Sequence, residues 1–368
     1  MKALFVATVQ SHIAQFHLKA IELLKQNGYE VHVAAKDNLA EKNGLQLKNV
    51  DIIYDVPFCR SPFSLKNISA YRILKRIIIQ GKYDLIHCNT PVGGILTRLA
   101  ARKEDGKVLY TAHGFHFYKG APVKNWILYY PIEKVMTRYT DGLITINHED
   151  YEFAKKNFKC PIYRTHGVGV NTEKYKRISK KEIENLRKDN GLSNKIIILC
   201  TGELNKNKNQ KTIILAMQKV IQKVPSAVLL LAGNGPEKQS LQILIKELCL
   251  ENNIKLIGYH TDLEKYVQMC DIVVSASIRE GLPLNIVEGM YCSKPIVAST
   301  NRGHNELLNG EDNGYLVRPE DKESFADKII LLCLHPEERF MLGEKGYLKS
   351  LRYTDSYVLE ELKEIYFN

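Results

Sequence analysis

Short, nearly continuous apolar runs alternate with longer amphipathic stretches along the whole chain. Runs at 2–8, 30–34, 52–56, 85–88, 108–111, 143–146 and 162–164 have the composition of strands buried on both faces. Between them, apolar residues recur at three- and four-residue spacing and predict helices near 16–27, 65–80, 93–102, 124–139 and 149–157. A turn-rich connector, His166-Gly167-Val168-Gly169-Val170-Asn171, and a charged helix at 180–190 interrupt the alternation. It then restarts, with strands at 196–200, 227–231, 254–257, 271–275, 295–298 and 314–317. Helices are predicted near 210–223, 236–251, 263–269, 284–292, 322–334 and 337–351. Strand–helix alternation of this kind predicts parallel sheets with helices on both faces. The expected architecture is α/β: two doubly wound domains, at 1–175 and 176–350, with a helix in 351–368 packing back on the first.

Composition narrows this picture. The 368 residues are 45% apolar and 25% charged, as in ordinary globular proteins. No apolar run approaches the eighteen or so residues of a membrane span, and the opening residues read as a first strand rather than a signal peptide. The eight cysteines form no C-x-x-C pair, which predicts free thiols in a reducing cytoplasm. The net charge of +11 is uneven: residues 1–175 hold 25 Lys and Arg against 15 Asp and Glu, and residues 176–368 hold 27 against 26. An anionic partner for the first half is expected, and without a recognition motif or an interleaved aromatic stripe it is not a nucleic acid.

The candidate chemistry centres on Arg279-Glu280-Gly281-Leu282-Pro283-Leu284-Asn285-Ile286-Val287-Glu288, where a strand runs through a tight turn into a helix. Pro283 suits a first helical turn, and the free N–H groups at Leu284 and Asn285 make a site for phosphate. Glu280 and Glu288 flank that site, so a sugar, a diphosphate and a ribose in a row would suit it. Two further loops at strand ends are rich in phosphate-friendly residues. Gly202 to Asn209 includes Lys206 and Lys208, and Gly233-Asn234-Gly235-Pro236 has glycines that would let backbone approach a ligand. There is neither a P-loop nor a D-x-D sequence. In the first half, Gln10-Ser11-His12 and Ala112-His113-Gly114-Phe115-His116 follow predicted strands, and His113 is placed to open into a cleft. The histidine spacing does not resemble a metal site.

In these motifs the chain resembles the retaining glycosyltransferases of family four, and the resemblance covers essentially its whole length. Its most specific parts are the Glu280–Glu288 pair with the inner Gly-Leu-Pro, the 202–208 loop, Gly233-Asn234-Gly235-Pro236-Glu237 and the His-Gly-Val connector at 166–168. The resemblance implies a GT-B fold of two facing Rossmann-like domains, the second binding most of the donor. The stretch at 111–122 is similar to bacterial enzymes that extend polyprenyl-diphosphate carriers in capsule, exopolysaccharide or glycan-precursor synthesis, an N-acetylgalactosaminyltransferase among them. Carried over, Glu288 holds the donor ribose and Glu280 the donor sugar, while Lys208 with the Leu284 and Asn285 N–H groups holds the diphosphate. Gly202, Lys206, Gly233, Asn234, Gly235, Tyr259 and Gly281 complete the donor side, with the loop at 258–260 bordering the base. His113 positions the sugar and stabilises charge, and Gln10, Ser11, His12 and His116 face the acceptor.

The implied reaction moves a hexose or N-acetylhexosamine from a UDP-sugar to a polyprenyl-diphosphate-linked saccharide, without metal or cofactor. It takes place at an anionic membrane surface on the cytoplasmic side. The helix at 119–139, with Trp126 and Tyr130 beside lysines, is expected to meet that surface, whereas 71–79 packs its apolar face inward. Glu203 stands where the family has an arginine, and Gln10-Ser11-His12 replaces a glycine pair. A nucleotide-sugar 2-epimerase and a non-catalytic partner of another transferase are the alternatives.

Overall fold

The computed structural model describes residues 1–42, 45–308 and 312–368. They form two compact units, one of residues 1–169 with 355–368, the other of residues 170–354. The expected cuts at 175/176 and 350/351 are displaced by a few residues. The chain leaves the first unit just after Gly169 and re-enters it at Asp355, and beside those points Val170 N–H donates to the Tyr353 carbonyl at 2.8 Å.

The first unit is a seven-stranded, wholly parallel sheet: β1 (Lys2–Val9), β2 (Glu30–Lys36), β3 (Ile52–Asp55), β4 (Leu85–Asn89), β5 (Lys107–Ala112), β6 (Gly142–Thr145) and β7 (Ile162–Arg164). Its helices are α1 (Gln10–Phe16), α2 (Leu18–Gln26), α3 (Lys66–Gly81), α4 (Pro91–Ala101), α5 (Val123–Met136) and α6 (His148–Asn157). The strand order is β3-β2-β1-β4-β5-β6-β7, so the winding reverses between β1 and β4, which are paired Phe5 to His87 and Val6 to Cys88. Doubly wound sheets bind ligands in the crevice at the carboxyl ends of such a pair.

The second unit repeats the plan with six strands: β8 (Ile196–Thr201), β9 (Ala227–Ala232), β10 (Ile254–Gly258), β11 (Ile272–Ser275), β12 (Ile296–Ser299) and β13 (Tyr315–Val317). Their order is β10-β9-β8-β11-β12-β13, with the reversal between β8 and β11. The helices are α7 (Lys180–Asp189), α8 (Gln210–Lys223), α9 (Lys238–Glu247), α10 (Leu263–Met269), α11 (Leu284–Tyr291), α12 (Arg302–Leu307), α13 (Lys322–Leu334) and α14 (Pro336–Ser350). The last helix, α15 (Asp355–Phe367), returns to the first unit, where the Tyr366 hydroxyl lies 2.8 Å from His87 Nδ1 and Lys107 Nζ donates to the Ile365 carbonyl. It also adds acidic residues there, so the first unit holds 25 Lys and Arg against 18 Asp and Glu, a smaller excess than residues 1–175 alone.

Three local predictions are corrected. The helix expected at 16–27 is present as α2, but an unexpected helix, α1, precedes it directly on the end of β1, and the two are broken at His17. Helix α12 was not expected; Asn301 caps it by accepting from the His304 N–H. In α5, Trp126 and Tyr130 turn inward and pack with Phe117 and Phe153, the ring centroids 5.5 to 6.1 Å apart. Burial of aromatic area against the core outweighs the pull of neighbouring lysines, and α5 shows solvent Val123 and Ile127 instead. Beneath it, the fully buried Arg98 donates to Glu133 at 2.9 Å and lies over the Tyr110 ring, a pairing that spares both charges isolation in the core.

In the second unit, glycines bring loop onto loop. A Cβ at Gly233 would lie 2.0 Å from the Gly202 carbonyl oxygen, and one at Gly235 would lie 2.3 Å from that of Leu204. Bonds from Gly202 N–H to the Ala232 carbonyl and from Leu204 N–H to the Asn234 carbonyl seal the contact. At both positions neighbouring backbone fills the space that a side chain would need. Gly233→Ala is therefore expected to cost about 3 kcal/mol of stability, since the blocking atom is backbone and the φ of +144° is strained for alanine. Gly191→Ala, at φ +67° with open space around it, should cost about 1 kcal/mol. Calorimetric melting of both variants checks the difference, and equal losses would contradict the loop-packing role.

Candidate functional site

The loops leaving β8 and β11 bring the predicted donor residues of the second unit together. From the β8–α8 loop, Lys208 Nζ donates to Glu280 Oε1 at 2.6 Å, with both side chains largely buried. Burial opposes ionisation of Glu280. The adjoining Lys208 charge and the hydrogen bonds from Lys208 and Ser277 outweigh it, holding the carboxyl below its ordinary pKa. Lys208, assigned from sequence to a diphosphate, is thus paired with the acid assigned to the sugar. The Lys208 stem also runs along Gly202, whose φ of +142° no larger residue adopts easily.

Eight residues after Glu280, Glu288 lies in the middle of α11 in a different environment. Burial pushes its carboxyl up to about 7, against the opposing hydrogen bond with Tyr175 and the Lys174 charge. Burial, and then Glu288 itself, raise the Tyr175 phenol. At neutral pH Glu280 is ionised and Glu288 is near half-protonation, so two acids on one loop–helix segment differ in charge state. The first N–H groups of α11, at Leu284 and Asn285, have no carbonyl one turn earlier to bond. The Asn285 amide donates to the Thr201 carbonyl at 3.1 Å and ties the start of α11 to the end of β8.

The remaining donor-side residues are scattered in role. Lys206 is exposed, and Glu203 accepts from the Asn205 amide. Asn234 carries the loop-to-loop bond from Leu204, and Gly281 packs near Gly303 at the start of α12. Tyr259 follows β10, and the next residue, His260, is held 2.9 Å from the Ile257 carbonyl. Sequence reasoning missed Tyr175, Arg302, whose Nε donates to the Glu280 carbonyl, and His304. His304 is buried beside Glu280; its Nδ1 lies 2.6 Å from the Ser299 carbonyl, its Nε2 has no partner, and burial lowers its pKa to about 4. The capping asparagine at 301 was the signal for the helix that delivers it.

In the first unit the strand-end residues gather around β1, β4 and β5. His113 Nε2 lies 3.0 Å from Asn89 Oδ1 and 3.3 Å from His12 Nε2. Burial depresses the His113 pKa to about 4. The ring is neutral at pH 7 and offers hydrogen bonding rather than a positive charge. Asn89 is followed by Thr90 at φ +64° and ψ +150°, a backbone state rare outside glycine, held by bonds from Thr8 to the Thr90 hydroxyl. His17, whose spacing in sequence does not resemble a metal site, joins the group in space: the ring nitrogens of His12, His17 and His113 lie within 4.8 Å of one another. Gln10 and Ser11 do not reach outward. Both are buried, and Ser11 exchanges two hydrogen bonds with Asn38. His116 sits with α5, its ring 4.6 Å from that of Tyr129. His166 of the connector is tied to α15 by a 2.6 Å contact between Nδ1 and Glu361.

Comparison with known proteins places these features. Residues 182–349 match the family described as Glycosyl transferases group 1, and residues 2–147 match Glycosyl transferase 4-like. The chain is 44% identical to a putative glycosyltransferase, EpsD, of Bacillus subtilis (strain 168), over 99% of its own length and 96% of the relative's. It is 25% identical to an Escherichia coli UDP-Gal:alpha-D-GlcNAc-diphosphoundecaprenol alpha-1,3-galactosyltransferase, over 87% of this chain and 84% of that one. Among solved structures, Anabaena Alr3699/HepE in complex with UDP and glucose superposes with a TM-score of 0.81 over 99% of both chains at 21% identity, a likeness of fold. With two Rossmann-like units, the Glu280–Glu288 segment and a full-length relative at this identity, the chain belongs to the group 1 glycosyltransferases of the GT-B fold.

Proposed function

We propose that the protein transfers a sugar, with retention of configuration, from a UDP-sugar to a hydroxyl of a polyprenyl-diphosphate-linked saccharide. The observation that carries the reading is the pair of unlike acids: Glu280, ionised beside Lys208, and Glu288, half-buried beside Tyr175 with its carboxyl pushed up to about 7. In this reading Glu288 accepts from the ribose hydroxyls and Glu280 from the sugar hydroxyls. Lys208 and the α11 N-terminus then take the diphosphate, so no metal is required. The acceptor oxygen bonds to the anomeric carbon, the bond from that carbon to the diphosphate breaks, and the departing phosphate oxygen takes the acceptor proton. The relatives named above are transferases, which favours transfer over 2-epimerisation, and one of them bears a diphosphoundecaprenol acceptor in its name.

Glu288→Ala should weaken UDP binding by about 1.5–3 kcal/mol, the scale of a lost charge-assisted hydrogen bond. Glu280→Ala should leave UDP affinity near wild type, because it frees Lys208 for the diphosphate, and should damage turnover. Calorimetry with UDP on both variants reads the split, and equal affinities would contradict the assignment. Turnover of a UDP-sugar with a polyprenyl-diphosphate acceptor should persist in chelator. Loss of activity restored by magnesium or manganese would contradict the metal-free reading, and conversion of the UDP-sugar without acceptor would favour an epimerase.

A lipid-linked acceptor requires a membrane surface at the cytoplasmic face, and among the described residues no helix is long and apolar enough to cross a membrane. We place the docking surface on α3 and the loop before it, in place of α5. Residues 56–83 contain six cations, Arg60, Lys66, Arg72, Lys75, Arg76 and Lys82, and no acid. All six are exposed, alongside Phe63 at 76%, Leu65 at 81% and Ile68 at 51%. Leu65, Ile68, Arg72, Lys75, Arg76 and Ile79 follow the spacing of one helical face, so apolar and cationic groups share it. Each cation near an anionic surface contributes about 1 kcal/mol. Co-sedimentation with vesicles containing phosphatidylglycerol should weaken with salt, with Lys75→Glu plus Arg76→Glu, and with Phe63→Ala plus Leu65→Ala. Lys124→Glu plus Lys134→Glu on α5 should change little. Equal binding to neutral vesicles, or sensitivity to the α5 pair alone, would overturn this placement.

A further inference from the structure

Three histidines of the first unit have a geometry that their part in sugar transfer does not explain. We propose that His12, His17 and His113 form a three-nitrogen site for a divalent transition metal of the zinc type, and that filling it withdraws His113 from turnover. The site is inhibitory, and the binding claim does not depend on the transferase reading.

The first support is distance. Three imidazoles bound through nitrogen to one tetrahedral zinc at about 2.05 Å have their nitrogens ~3.3 Å apart and their ring centroids ~5.2 Å apart. Here the His12 and His113 Nε2 atoms are 3.3 Å apart. The three centroid separations are 4.8 Å for His12–His113, 5.3 Å for His12–His17 and 5.5 Å for His17–His113. All three rings are already spaced as ligands of one ion would be, with their ring nitrogens within 4.8 Å of one another.

The second support is local backbone. His12 and His17 are five residues apart, and in an unbroken helix such residues point roughly 140° away from each other. The break between α1 and α2 falls at His17, with φ −126°, and brings the two rings together.

The third support is an unpaid polar atom. His17 is 4% exposed, and its Nε2 has no hydrogen-bond partner among the described residues. A buried polar nitrogen left bare costs free energy that a metal ion would recover. The neighbouring His87 shows the contrast: its Nδ1 lies 2.8 Å from the Tyr366 hydroxyl and its Nε2 lies 2.7 Å from the Thr111 hydroxyl, so it is satisfied without metal. Three imidazoles with no carboxylate or thiolate suit zinc, cobalt, nickel or copper rather than magnesium or calcium, and leave a fourth position for water.

The test is titration of the full chain with cobalt chloride, followed by visible absorption. One equivalent should produce the intense ligand-field bands of a four-coordinate site without thiolate-to-metal charge transfer, and zinc should displace the cobalt. His17→Gln and His12→Gln should each weaken cobalt binding roughly tenfold or more, with melting temperatures confirming that they fold. Micromolar zinc should lower wild-type turnover and lower that of His17→Gln far less, each relative to its own metal-free rate. No saturable absorption in the wild-type chain would overturn the proposal, as would thiolate bands or binding indifferent to both substitutions. Cobalt binding without zinc inhibition would overturn the inhibitory role alone.

Discussion

A carboxylate in a largely buried loop is kept ionised by a cation beside it, and the 2.6 Å pair between Lys208 and Glu280 is the contact on which the arrangement of the second unit's strand-end loops depends. It links the loops that leave β8 and β11, the two strands where the winding of the second sheet reverses. For Lys208 to reach Glu280 its stem must pass along Gly202. That loop must in turn lie flat against the β9–α9 loop, which requires hydrogen, not carbon, at Gly233 and Gly235. The anchoring of Asn285 to Thr201 fixes the start of α11 in the same frame. Glycine conformation, loop packing and the charge of one acid are therefore successive links of one chain.

The first unit reaches its arrangement by the opposite electrostatic route. Burial alone keeps its strand-end His113 neutral. A neutral imidazole beside Asn89 offers hydrogen bonds and no positive charge. The strained Thr90 and the break at His17 are the backbone adjustments that bring three rings from separate segments together.

Periodicity made the two-sheet plan legible because wholly parallel strands are buried on both faces and read as uninterrupted apolar runs. The Glu280–Glu288 segment was equally visible, since Gly281, Pro283 and two acids stand together in sequence. Partners that come from elsewhere in the chain were not. Nothing near Tyr175 in sequence announces that its hydroxyl meets Glu288, and nothing near Lys208 says that it meets Glu280. The glycines at 233 and 235 show in sequence only that backbone approaches something there, not that the β8–α8 loop packs on them. Trp126 and Tyr130 were misread for a related reason: an aromatic beside a lysine suits a membrane interface and a core edge equally, and the cluster of Phe117, Phe153 and Phe158 decides between them.

Glu288 gives the most direct access to the central claim that the second unit holds a UDP-sugar through its ribose. In the free chain this carboxyl titrates at about 7, and hydroxyls donating to it favour its ionised form. Calorimetric affinity for UDP-glucose, whose diphosphate does not titrate nearby, should be followed between about pH 5.5 and 8.5 for the wild type and for Glu288→Gln. Affinity in the wild type is predicted to rise with pH through about 7 and then level off, with proton release on binding, while the glutamine variant stays weak and flat. An affinity that is flat or falls with pH in the wild type, or the same pH dependence in both proteins, would contradict the account.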